Sequence, residues 1–117
     1  MTTLKRIHIV HMKNCPHCFI AIQKIGETAK RLGLNCAYYD VFNDEESKQA
    51  DELVKKYGDW SDDYIVPQVF FETDEGKIIH VLTGYPEGVK YTERALNNLL
   101  ESRFFRSLVE HKVMQQA

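Results

Sequence analysis

The chain opens on an apolar run, Ile7-His8-Ile9-Val10, and then changes period. From Cys18 onward, Cys18, Ile22, Ile25, Ala29 and Leu32 recur at steps of four and three, which is one face of a helix. Gly33 follows as a natural C-terminal cap. Leu4 to Met12 therefore reads as a first strand, and its near-continuous apolar character predicts a central strand covered on both faces. Cys36 to Phe42 is rich in strand formers and predicts a second strand. Strand, crossover helix and strand imply a parallel pair joined right-handedly.

Asn43-Asp44-Glu45-Glu46 supplies an N-cap and an acidic first turn. Ala50, Leu53, Val54 and Tyr57 then keep helical spacing until Gly58. Asp59 to Tyr64 has no period and reads as an exposed acidic loop carrying Trp60 and Tyr64. Val66 to Phe71 predicts a third strand that opens with Pro67, a position a strand tolerates. Thr73-Asp74-Glu75-Gly76 is a turn signal, and Ile78 to Leu82 pairs back as a hairpin. After the break at Gly84-Tyr85-Pro86 a last helical pattern runs through Ala95, Leu96, Leu99 and Leu100 to Phe105, Leu108 and Val109. The predicted order is β-α-β-α-β-β-α, an α/β class with one parallel pair and one antiparallel hairpin.

A chain of 117 residues fits one domain with a real core. Its formal charge of −2, with no Lys/Arg-rich block, argues against nucleic-acid binding. No apolar stretch approaches transmembrane length, and Met1 to Lys5 lacks the pattern of a secretory signal. Three cysteines, an odd number, make no disulfide framework, so a reducing cytoplasm is the expected home.

Two of those cysteines carry the candidate chemistry. Cys15-Pro16-His17-Cys18 stands behind a strand and opens a helix, where a Cys-x-x-Cys reads as a dithiol redox site. Pro16 suits the first helical position. Cys15 then meets the free N–H groups and positive dipole end that favour a thiolate, and Cys18 lies about one turn further on. A zinc half-site, a structural disulfide and two unrelated cysteines are the other readings of the pair. His17, between the cysteines, reads as exposed; if protonated it would favour the Cys15 thiolate and the reduced form. His11-x3-Cys15-x2-Cys18 has the residue types of a zinc or softer-metal site. A strand histidine such as His8 is more often a satisfied interior group, and no metal is expected. Cys36 reads as a buried small apolar residue.

The element order, Cys15 and Cys18 after strand one, and Pro67 at the start of strand three resemble the thioredoxin/glutaredoxin superfamily. Ile65-Val66-Pro67-Gln68-Val69-Phe70-Phe71 is similar to the glutaredoxin version, and the resemblance runs to about Ser102. It implies a thioredoxin fold, a four-stranded mixed sheet flanked by helices. It also implies Cys15 as nucleophile, Cys18 as resolving thiol, a cis Pro67 facing them, and Val66 presenting its backbone to an extended substrate. The implied activity is exchange of the Cys15–Cys18 disulfide or dithiol with protein disulfides, with no cofactor. A reductase or low-molecular-weight thiol would supply electrons, with no nucleic-acid or membrane partner.

The chain also departs from that pattern. Met12 stands where glutaredoxins carry a basic residue, and Gly84-Tyr85-Pro86-Glu87 replaces their Gly-Gly-x-Asp stretch, so weak glutathione binding is expected. No Trp precedes Cys15, as it would in a thioredoxin. Cys-Pro-His-Cys is also the motif of the periplasmic disulfide-forming oxidase, but there is no room here for that protein's inserted helical domain. Two rival functions are a metal-delivery module, because Met12-x2-Cys15-x2-Cys18 is distantly similar to copper chaperones, and a fold-sharing adaptor that docks through Trp60 and Tyr64. Residues 1–102 form the expected domain, and 103–117 a helical extension. Phe104, Phe105, Leu108, Val109 and Val113 would bury against the same chain, as a monomer, or against a second copy.

Overall fold

The computed structural model describes residues 2–116, with side chains as far as Lys112. Met1 and Ala117, the outer ends of the two expected segments, lie outside the described residues, as does the side chain of Val113. The elements are β1 (Leu4–His11), α1 (Pro16–Leu32), β2 (Asn35–Asp40), α2 (Asp44–Tyr57), β3 (Gln68–Thr73), β4 (Ile78–Thr83), α3 (Val89–Glu101) and α4 (Arg103–Gln116). The four strands form one mixed sheet in the order β2-β1-β3-β4. β1 runs parallel to β2 and antiparallel to β3, which pairs antiparallel with β4. No helix among the described residues is long and apolar enough to cross a membrane.

Side-chain alternation on β1 and β3 divides the core in two. On one face Ile7, Ile9, Val69 and Phe71 meet Ala21, Ile25 and Ala29 of α1, Leu96 of α3, and Phe105, Leu108 and Val109 of α4. On the other face Val10 and Phe70 pack on Ala50 and Val54 of α2. β1 is therefore interior and covered on both sides, as its apolar run predicts. The same alternation puts His8 on the α2 face, where it is satisfied at both ring nitrogens. Nδ1 lies 2.8 Å from the Tyr39 hydroxyl and Nε2 lies 2.8 Å from Glu72 Oε1.

Capping explains where the helices stop and start. Gly33 closes α1 in the left-handed region (φ 68°), and Leu34 N–H reaches back to Ala29 O at 2.8 Å. Asn43 Oδ1 accepts from Glu45 N–H and Glu46 N–H at the start of α2.

Several boundaries differ from the sequence expectation. The second strand ends at Asp40, because Asp40 Oδ1 takes the Phe42 N–H at 2.9 Å and turns the chain, leaving Phe42 exposed. The third strand begins at Gln68 rather than Val66, since Pro67 has no N–H to give the ladder. On α1, Ile22 is only half-buried, while Ala21 and Thr28 join the buried face; on α2, Tyr57 is exposed. After Ser102 the extension is a separate helix, α4, rather than a continuation of α3. Ser102 parts them: its hydroxyl donates to Leu99 O and accepts the Phe105 N–H, ending α3 and capping α4 at once.

Candidate functional site

Three segments converge at the end of the sheet where β1 finishes. Val10 is paired with Gln68, and Gln68 with Thr83, so the β1–α1 turn, the approach to β3 and the exit from β4 share one edge. β1 is also where the strand order reverses, with β2 on one side and β3 on the other. Crevices at the carboxyl ends of strands beside such a reversal are where open α/β sheets place their ligands.

Cys15 is the N-cap of α1, with extended backbone (φ −112°, ψ 109°) and Pro16 at the first helical positions. Asn14, in the left-handed region at φ 57°, makes the turn into the cap, a conformation asparagine tolerates. Cys15 Sγ accepts the Cys18 N–H at 3.2 Å, so the sulfur does the work an Asn or Ser oxygen does at other helix starts. Cys15 is 9% exposed and Cys18 1%. The two are free thiols. The Cys18 thiol is pushed up to about 12, by burial first and then by its hydrogen bond with Cys15; the Met12 backbone pulls it down, and the Cys15 charge adds the smallest upward push.

The Val66–Pro67 peptide is cis, as the resemblance implies. Pro67 is buried and Val66 half-buried. Gly84 seals against this segment: its N–H donates to Pro67 O at 2.9 Å, and a Cβ there would stand 2.8 Å from Pro67 Cδ. Gln68, fully buried, anchors the loop before it through Asp59 N–H, Asp59 O and Ile65 O. The acidic loop is thus held in place, with Lys55 Nζ 4.6 Å from the Trp60 ring centre and Tyr64 tilted against the same ring at 5.5 Å between centres.

His17 is not the solvated residue expected. It is half-buried, and its Nδ1 lies 2.7 Å from Thr92 Oγ1 at the start of α3. His11 packs edge-on against Tyr38, and His8 is engaged with Tyr39 and Glu72. Among the described residues no group of three or more His, Cys, Asp or Glu is gathered to hold a metal ion. Cys36 is half-buried rather than buried; burial pushes its thiol up and a hydrogen bond with Tyr38 offsets part of that.

Two features of the site were not read from the sequence. One is a groove of about 780 Å³ beside Cys15, walled by Met12, Phe19, Ile20, Ile22 and Val89, with Lys13 at its edge. Phe19 is 69% exposed, and its signal was available: it is an apolar residue next to Cys18 that falls off the buried face of α1. The other is Thr92, which is 75 residues from His17 and carries no local signal. Compared with known proteins, the chain matches no family model, no curated protein and no solved structure.

Proposed function

We propose that this chain has a thioredoxin-type fold and is a thiol–disulfide oxidoreductase acting on protein disulfides through Cys15 and Cys18. One observation carries the reading: at the carboxyl end of β1, Cys15 caps α1 with its sulfur while the Cys18 thiol stays protonated and buried beside it. A helix N-terminus with an N–H pointed at sulfur favours the thiolate that thiol–disulfide exchange requires.

In the first step the Cys15 thiolate attacks one sulfur of a substrate disulfide. A Cys15–substrate disulfide forms, the substrate S–S bond breaks, and the departing substrate thiolate takes up a proton. In the second step Cys18 gives up its proton and attacks Cys15 Sγ. The substrate leaves as a second thiol, and the pair is left as a disulfide, having passed two electrons on. The causes of Cys18's high value fit this order. Two of the three upward causes come from Cys15 itself, the hydrogen bond and the charge, and both vanish once Cys15 is tied up in the mixed disulfide. Burial, the largest cause, remains and keeps Cys18 protected from other reagents. A reductase or low-molecular-weight thiol then returns two electrons to the pair.

Alkylation of the reduced protein near neutral pH tests the assignment. Cys15 should react at least about tenfold faster than Cys18, as a thiolate at a helix start does relative to a buried thiol. Cys18→Ser should accumulate a mixed disulfide between Cys15 and a disulfide-bonded protein substrate. Equal alkylation rates, or no trapped species, would overturn the reading. Turnover of glutathione mixed disulfides should be poor beside protein disulfides.

A further inference from the structure

The first turn of α3 contains a fully buried hydroxyl, that of Thr92. Its neighbours along the inner face of α3, Ala95, Leu96 and Leu99, are apolar and pack on the core. Valine has the same shape and would bury more apolar surface at this position. A buried hydroxyl costs free energy unless both its proton and its oxygen find partners, and here they do. Tyr85 N–H donates to Thr92 Oγ1 at 2.9 Å, and His17 Nδ1 lies 2.7 Å away.

These two contacts together favour one direction for the second bond. Tyr85 N–H supplies a hydrogen and takes one lone pair of Oγ1. A second lone pair remains, but the buried hydroxyl hydrogen needs an acceptor, and of these two contacts His17 Nδ1 is the one that can accept it. A ring that accepts at Nδ1 carries its hydrogen on Nε2 and is uncharged.

We propose that Thr92 is a positioning residue for the Cys15–Cys18 pair: its hydroxyl holds His17 in the neutral Nε2–H form and so keeps positive charge away from Cys15. The proposal rests on the oxidoreductase reading. Charge next to the nucleophile stabilises the thiolate, hence the reduced pair, and makes the disulfide a stronger oxidant. With Nδ1 occupied, the Cys-Pro-His-Cys motif of this chain is more reducing than its sequence suggests. The same hydroxyl ties the motif to the far side of the site. Tyr85 follows Gly84, whose N–H bonds to Pro67 O, so the His17 ring, the exit from β4 and the Pro67 segment share one hydrogen-bonded path.

The test uses the full chain. Long-range nitrogen–proton correlation spectra of the reduced protein should show His17 with its hydrogen on Nε2. This reading needs no variant, so a Thr92→Val protein that fails to fold does not remove it. Where Thr92→Val folds, its equilibrium with a glutathione redox buffer at pH 7 should shift toward the dithiol by about threefold or more, the scale of a partly populated unit charge near the sulfur. Thr92→Ser, which keeps the hydroxyl, should hold the original equilibrium. In a His17→Asn background, Thr92→Val should produce no shift. A hydrogen on Nδ1 in the unmodified protein, or a Thr92→Val shift that survives in the His17→Asn background, would overturn the proposal. A pair that cycles normally with no Thr92→Val shift overturns the role of Thr92 alone. A pair that forms no disulfide in any variant defeats the oxidoreductase reading itself and takes the role of Thr92 with it.

Discussion

Glu72 shows how much one side chain on the α2 face is asked to hold. Its Oε1 accepts from His8 Nε2 at 2.8 Å, while Arg6 and Lys5 lie at 3.7 and 3.9 Å. The hydrogen bond from His8 is the main reason its carboxyl sits below the usual range; burial works against it, and the charges of His8, Arg6 and Lys5 add to it. A carboxylate whose folded value is depressed stabilises the fold above its ordinary value, near pH 4.3, and loses that contribution as pH falls through the lower folded value. Glu72→Gln should therefore cost about 1.5–3 kcal/mol near neutral pH, the scale of a charged hydrogen bond. Urea unfolding at a series of pH values checks this: the gap between the two proteins should close below about pH 4. A gap constant down to pH 2 would mean that packing, not the charge, is what the substitution removes.

At the scale of elements, the four helices start in different ways. Asn43 caps α2 and Ser102 caps α4 with oxygen, whereas Cys15 caps α1 with sulfur, a weaker acceptor. An oxygen cap is worth about 1 kcal/mol, so Asn43→Ala should lower stability by roughly that amount and Asn43→Asp should preserve it. Chemical denaturation of the three proteins reads this directly. Equal loss in both variants would show that the side-chain amide, rather than an accepting oxygen, matters at this position. By the same reasoning, the sulfur at the start of α1 is a weaker cap than an oxygen would be.

Over the whole molecule, the last helix decides how large the core is. Phe105, Leu108 and Val109 of α4 are buried on the α1/α3 face, and Phe104 and Phe105 both contact the Phe71 ring. Through Phe105, Leu108 and Val109, α4 contributes to the main core. Leu108→Ala should then cost about 2–5 kcal/mol, the usual range for a buried leucine. Its solution mass should stay the same. A stability loss below about 0.5 kcal/mol, the level of a surface substitution, would place α4 outside the core. A change of mass with stability retained would point to a second copy instead.

Most of this frame was legible in the sequence because it depends on local rules. Period-2 and period-3.6 patterning marked the strands and helices, Gly33 and Asn43 marked helix ends, and Cys15 and Cys18 stood where a strand hands over to a helix. The boundaries that moved were set by single hydrogen-bonding groups, namely the Asp40 side chain, the N–H that Pro67 lacks and the Ser102 hydroxyl. Capping chemistry makes these readable in principle, but hydrophobic period does not show them. The environment of the site belongs to tertiary structure. His17 meets Thr92, and Gly84 meets Pro67, across separations over which sequence spacing carries no distance information. Four residues of sequence specify a dithiol at a helix start, but the partner of its histidine is a hydroxyl that only the folded chain brings within reach.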